Sequence, residues 1–347
     1  MKKVLLALCA VMMLGMMACN DDPASLEPVN PSGGHGGGGG GGEQPEQIPT
    51  GEGIFSPAQK IDTILVDEAI SETWTWNNNK LMQISSLEGG SSFTYNGWRM
   101  ATLSTVLQQV PVEATYNYSG DKLATVDAYS GGVPALGVIF GHNAAGKIDH
   151  LTLDINSNML AMLSQLLGGG LPGFNWGDFF KKSSKFSLDS TNLHAYLTWQ
   201  GDDVTSMILS GSVNGQVTLG EVGQFINVDS LLGGMTAMLA DTNLKVKLEI
   251  ADTMTYAYDT YHNPFCGFLG TLDATVLSAH NMTSMLSSGV VRITVTATTL
   301  FGTVPLQLPA YSLGERMENR TYTYDNNGYP LTFTNDEGSV TRYIYKR

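Results

Sequence analysis

Cysteine is almost absent from this 347-residue chain; Cys9, Cys19 and Cys266 are all it has. Thiols so few and so far apart make neither a disulfide framework nor a thiolate metal cluster, so stability has to come from burial. Cations are scarce as well, with 18 Lys and Arg against 32 Asp and Glu and a formal net charge of −14. Nucleic acid and anionic lipid both select clustered positive charge, which excludes nucleic acid as a partner and argues against direct adsorption to a membrane surface. No apolar run reaches the 18 or so residues of a spanning helix. No glycine-rich loop joins a strand to a helix, and no Ser-His-Asp or Cys-His arrangement stands out, so there is no phosphate cradle or nucleophile to name. These absences point away from an enzyme, and no cofactor is implied.

What the chain does have is a two-residue rhythm. Its last stretch, Thr321–Arg347, alternates Tyr322 and Tyr324 with threonines, turns at Asp325–Gly328, and alternates again through Tyr329, Leu331 and Phe333. A second turn at Asn335–Gly338 leads into Val340–Tyr345. Aromatic and β-branched residues with period two, broken by Asn/Asp/Gly clusters, signal hairpins. Further units of this kind occur at Trp74–Ile84, Tyr116–Val126, Val138–Ile148, Tyr196–Ile208 and Tyr256–Phe268. In three of them an aromatic precedes the first apolar residue of the return strand by the same offset: Trp76 to Leu81, Tyr118 to Leu123, Trp199 to Val204. Between units, Leu244, Val246, Leu248 and Ile250 alternate with Lys245, Lys247 and Glu249. The pattern predicts an all-β domain over residues 54–347 of roughly a dozen strands in an antiparallel meander, apolar on one face and polar on the other. The uneven spacing of the units argues against a strict solenoid.

Two segments break the rhythm. Asn158–Leu167 sets Met159, Met162, Leu163 and Leu166 on one helical face, between a possible cap at Asn156 or Ser157 and Gly168–Gly170. Ser230–Ala240 does the same with Met235 and Met238, although Gly233 and Gly234 weaken it by about 1 kcal/mol each. Both are expected as short amphipathic helices, packed on the concave side of the sheet or at its mouth. A methionine-lined face there would either plug the core or bound an apolar cavity. A further helical turn near Trp176–Lys181 is also expected.

The N-terminus reads as an address. Lys2 and Lys3 precede the apolar run Val4–Met17, which is too short and wrongly flanked to span a bilayer, and residues 1–18 have the shape of a signal peptide. Its end, Leu14-Gly15-Met16-Met17-Ala18-Cys19, resembles the lipobox of bacterial lipoproteins, with Met16 where a leucine is more usual. The resemblance implies cleavage before Cys19 and acylation of that cysteine, which leaves Cys266 as the one free thiol. Each buried methylene contributes about 0.8 kcal/mol, so two or three acyl chains anchor stably where one would not. Asn20, Asp21 and Asp22 resemble the export signal that carries lipoproteins of Bacteroides-type bacteria to the outer face of the outer membrane; the periplasmic face is the alternative. Residues 19–53, with the glycine run Gly36–Gly42, cannot bury enough apolar surface to order themselves. They read as a tether with a mean reach on the order of 30 Å.

The recurring Tyr-x-Tyr-Asp phrase with a following Pro (Tyr256–Phe265 and Tyr322–Leu331), together with Asn281-Met282, resembles a family of Bacteroides-type lipoproteins that carry a domain of unknown function with a porin-like fold. It implies an antiparallel sheet curled into a barrel or half-barrel on a lipidated tether, and no catalytic residue. A membrane-spanning barrel would need an outward apolar band between aromatic girdles; lipidation and the two interior-sized helices fit a soluble curled sheet better.

Candidate sites remain sparse. Trp74, Trp76, Tyr116, Tyr118 and Trp199 are candidate sugar-stacking aromatics, set against the competing expectation of cross-strand core pairs. Asp325–Gly328, His142 with His150, and His262 with Cys266 lack the remaining ligands of a metal site, so none is expected. The triplets beginning at Asp62, Asp229 and Asp252 look like short O-glycosylation acceptors. The resulting expectation is a surface lipoprotein held in outer-membrane lipid through Cys19, binding a glycan or a protein. A carrier of an apolar ligand, and a hydrolase with an unrecognised site, are the alternatives.

Overall fold

The structure is a computed structural model that describes residues 49, 51–87, 89–107, 110–156, 187–218, 243–271, 273–299, 302–307 and 310–346. Seventeen strands run through the described residues: β1 (Ile61–Val66), β2 (Ala69–Asn77), β3 (Lys80–Ser86), β4 (Gly89–Asn96), β5 (Arg99–Leu107), β6 (Val110–Ser119), β7 (Lys122–Ser130), β8 (Val133–His142) and β9 (Ile148–Ile155). Longer strands follow: β10 (Ser187–Gln200), β11 (Asp203–Thr218), β12 (Asn243–His262) and β13 (His280–Thr299), then β14 (Gly302–Gln307), β15 (Tyr311–Tyr324), β16 (Pro330–Asn335) and β17 (Val340–Tyr345). Each pairs antiparallel with the next, except that β14 and β15 both pair with β13, and β17 pairs back onto β1, with Ile64 opposite Tyr343. β14 and β15 lie end to end along one edge of β13, on Thr294–Thr299 and Ser284–Val291 respectively. The circuit is therefore a closed barrel of sixteen strands.

Six two-residue hairpin turns pass through the left-handed region: Asp67 and Glu68 (φ 48° and 68°), Asn78 (53°), Gly97 (60°), Gly120 (60°), Gly131 and Gly132 (57° and 79°) and Gly201 (59°). Glycine takes that conformation freely and Asn or Asp at small cost, which is why most of these turns fall where the sequence shows them; Glu68 is the exception. Three longer turns share another device. Asn143, Asp325 and Asn335 each use a side-chain oxygen to accept the amide four residues on, at 3.0, 2.8 and 2.9 Å. The Asp325 carboxylate is thus taken up through Oδ1 by its own turn and through Oδ2 by the Gln59 amide, which donates at 2.8 Å.

The barrel wall is polarised. Along β12, Leu244, Ile250 and Met254 are buried while Lys245, Lys247, Thr253 and Thr255 are exposed. The buried face points inward, as residues 263–279 between β12 and β13 demonstrate. Phe268 in this segment reaches Trp74 on β2 (5.5 Å between centroids) and Phe93 on β4 (5.7 Å), and the Tyr116 hydroxyl of β6 donates to Leu269 O at 2.7 Å. A segment leaving from β12 can meet the buried faces of β2, β4 and β6 only by crossing the inside of the ring. Sixteen strands enclose more space than their own side chains fill, and at this rim Phe55 and the inserted segment supply the rest. Among the described residues a void of about 10 Å³, room for a single water, lies beside Leu151, Leu197, Met207 and Thr271.

The curled sheet closes fully, as the barrel rather than the half-barrel. One expectation changes. The unit read at Tyr256–Phe268 is not a hairpin: β12 ends at His262, and the return strand waits until His280. Its Phe265 and Phe268 serve the interior instead, held by Asn263, whose amide donates to Thr275 O and Ser278 O at 2.9 Å. The helices expected at 158–167 and 230–240, and the turn near 176–181, lie outside the described residues, among which the helical element is the short 3-10 turn Ala274–Leu277.

Candidate functional site

The aromatics singled out in the sequence occupy the seams between hairpins. At one rim, adjacent hairpins splay, and a carbonyl within the first three residues of a strand lies beyond the last rung of the ladder to its neighbour. In seven of the eight seams a ring from the next hairpin reaches back to that carbonyl. Trp76 Nε1 donates to Ile61 O at 2.7 Å, Tyr95 to Leu81 O at 2.6 Å, Tyr118 to Met100 O at 2.9 Å and Trp199 to Ile148 O at 2.7 Å. Tyr258 bonds Val204 O at 2.8 Å, Tyr322 bonds Met282 O at 3.0 Å and Tyr345 bonds Pro330 O at 2.8 Å. A β-bulge aims the ring: register shifts fall at Trp76, Tyr95, Tyr118, Trp199 and Tyr258 alike. In the eighth seam His142 stands in the ring position, its Nε2 3.0 Å from Glu52 Oε2, and Glu52 also accepts the Leu123 amide at 2.6 Å.

Trp74 and Tyr116 lie deeper, both buried. Trp74 packs on Phe265 and Phe268, and its indole N–H donates to Glu72 at 2.8 Å. All five candidate rings therefore have partners in the barrel interior. Burial pushes the Tyr118 hydroxyl up to about 12, with the Arg99 guanidinium pulling the other way.

The inside of the barrel also holds charge that the sequence reading passed over. Arg316, Glu318 and Arg320 follow one another at every second residue on β15, in phase with inward Tyr322 and Tyr324. The Arg320 guanidinium meets Glu318 Oε1 through Nε at 2.7 Å and Nη2 at 2.6 Å, and stacks over Phe333 at 5.1 Å. Glu72 on β2 and Asp252 on β12 face inward too. Desolvation raises both carboxyls above their ordinary values, against the Trp74 bond to Glu72 and the Ser287 bond to Asp252. Asp252 is 1 % exposed, sits in the space that Gly289 leaves open, and its Oδ2 has no hydrogen-bond partner among the described residues. Charged residues at i, i+2 and i+4 in register with core aromatics were the available signal.

His150 and His194 lie on the outer wall instead, beside Tyr196. His262 packs against Tyr329, and Cys266 is exposed and unpaired. Among the described residues no group of three or more His, Cys, Asp or Glu is placed to hold a metal ion. Cys19, Asn20, Asp21 and Asp22, and the methionine-face residues Met159, Met162, Leu163, Leu166, Met235 and Met238, lie outside the described residues.

No family model matches the chain. No curated protein matches it either.

Proposed function

We propose that the protein is a lipid-anchored, non-catalytic binding module carried on the outer face of an outer membrane. The observation that carries this reading is the polarity of the wall. A barrel that crosses a bilayer turns an apolar band outward and keeps its lumen polar. This one buries most of its apolar residues inside and along β12 presents lysine and threonine outside, while apolar side chains such as Ile139, Ile208, Leu286, Met317 and Ile344 are exposed as scattered residues among polar neighbours. Such a wall belongs in water, and a membrane association then requires a separate anchor, which the Ala18-Cys19 sequence resembles. Binding is favoured over catalysis because the two inward carboxyls with raised pKa, Glu72 and Asp252, stand on separate strands and each accepts a hydrogen bond from its own neighbour.

Metabolic labelling of the full chain with a palmitate analogue tests the anchor. Label on the wild type that disappears in Cys19→Ser is expected, with protease accessibility on intact cells reporting the outer face; label retained in Cys19→Ser removes the anchor from the account.

A second reading, a carrier of an apolar ligand, draws on the width of the ring and its apolar lining. Lipid extracted from the purified native protein in stoichiometric amount would favour it.

A further inference from the structure

On the outer wall, the registers of β7 to β11 set side chains in rows. One row runs Gly141, His150, Tyr196, Ile208; the next runs Thr125, Ile139, Thr152, His194, Ser210. Beyond them lie Asp127, Gly137 and Asp154. Tyr196 is 49 % exposed, as are Ile139 at 54 % and Ile208 at 43 %. The Tyr196 ring lies nearly parallel to His150 (27°, 6.5 Å between centroids) and to His194 (28°, 6.0 Å). Those separations exceed van der Waals stacking distance, about 3.5–4.0 Å, so the rings are tiled rather than stacked face to face. The tiling depends on Gly141: a Cβ there would fall 1.7 Å from His150 Cε1, so the histidine lies in the space a side chain would take. His194 is held by hydrogen bonds to Thr152 Oγ1 at 3.2 Å and to Asn192 Oδ1 at 2.8 Å.

We propose that this tiled surface is a docking platform for a short, neutral oligosaccharide. The proposal rests on the binding-module reading and gives it a place and a ligand class. The apolar face of a pyranose carries C–H bonds whose positive ends suit the negative face of an aromatic ring. Its hydroxyl edge needs neutral donors and acceptors; Asn192 and Thr152 stand there bonded to His194, and Asn117 bonds Thr125 and Asp127, each group keeping further donor or acceptor capacity. Asp127 and Asp154 stand on either side of Gly137, Asp127 Oδ1 lying 3.8 Å and Asp154 Cβ 3.7 Å from the point a Cβ would occupy. Those carboxylates, on a chain of net charge −14, disfavour uronates, phosphates and anionic headgroups. The three rings by themselves offer much less than the about 800 Å² that a stable protein interface takes from each side, which suits a small ligand better than a protein.

The test uses the chain from Asn20 to Arg347, since every strand of the ring lies within Ile61–Tyr345. Cellohexaose, xylohexaose, mannohexaose and maltohexaose are titrated calorimetrically, with hexagalacturonate as the charged comparison, after a glycan-array screen. At least one neutral glycan should bind the wild type, and bind Tyr196→Ala about tenfold more weakly or worse. Gly141→Ala should also weaken it by displacing His150, with the β-sheet circular dichroism unchanged in both variants. Glycan binding that neither variant alters, or tighter binding of hexagalacturonate, overturns the proposed site and leaves the binding-module reading standing. No glycan binding at all, together with a stoichiometric extracted lipid, overturns both.

Discussion

Tyr118 shows how single side chains hold this barrel together. Its hydroxyl takes the Met100 carbonyl, which lies past the end of the β5–β6 ladder, and a buried acceptor left unmade costs about 1–3 kcal/mol. Tyr118→Phe should therefore destabilise the protein by about 1–2 kcal/mol, read as a lower urea midpoint with an unchanged slope. Asp252 makes the opposite case. Its carboxyl is raised in the folded state, so the stability it contributes is present at low pH and is lost as pH climbs through the raised value. At pH 7 the buried charge is a cost, and Asp252→Asn should melt at a higher temperature than wild type. The gap should shrink as pH falls toward and below the ordinary value of 3.8, where the carboxyl is neutral folded or unfolded. A gap that is constant or widens on acidification would contradict that assignment. The rings of the seams were visible in the sequence as a fixed offset from the next apolar residue. Their role was not, because the carbonyl that Tyr118 or Trp199 serves belongs to a different hairpin, and sequence spacing does not report which hairpins become neighbours.

At the scale of elements, the eight seams recur where the sequence looked irregular. The chain inserts residues 156–186, 219–242 and 263–279 between strands that otherwise follow one another by short turns. Those insertions spread the units unevenly along the sequence while leaving their pairing in space regular. The sequence pattern reads residues up to Phe268 as the second half of a hairpin because Tyr256 and Tyr258 open it like the others. Pro264 denies an amide to the ladder, and Gly267 (φ 82°) turns the chain inward, so Phe265 and Phe268 go to the interior. Phe268 packs on Phe55, Trp74 and Phe93. Phe268→Ala should cost about 3–5 kcal/mol, since rigid strands on several sides cannot collapse into the space. A loss below about 1 kcal/mol would mean that the segment is only loosely seated. The charged run Arg316, Glu318, Arg320 was legible as alternation but not as inward-facing, because polar residues at core positions invert the rule by which faces are assigned.

For the whole molecule, alternation correctly gave an antiparallel meander with one apolar face, and closure followed from pairing β17 to β1. Which side the apolar face takes could not be read from period two alone, since a membrane barrel and a water-borne one share the same rhythm with opposite sense. Neighbouring residues on β8 decide between them. Val138 is fully buried and faces the interior, and Ile139 is 54 % exposed on the outer wall. In a Cys266→Ser background, Val138→Cys and Ile139→Cys are treated with a water-soluble, membrane-impermeant maleimide in the native state. Rapid labelling at 139 and protection at 138 are expected, with both reacting after unfolding in urea. Labelling at 138 with protection at 139 would contradict it, and would turn the wall inside out.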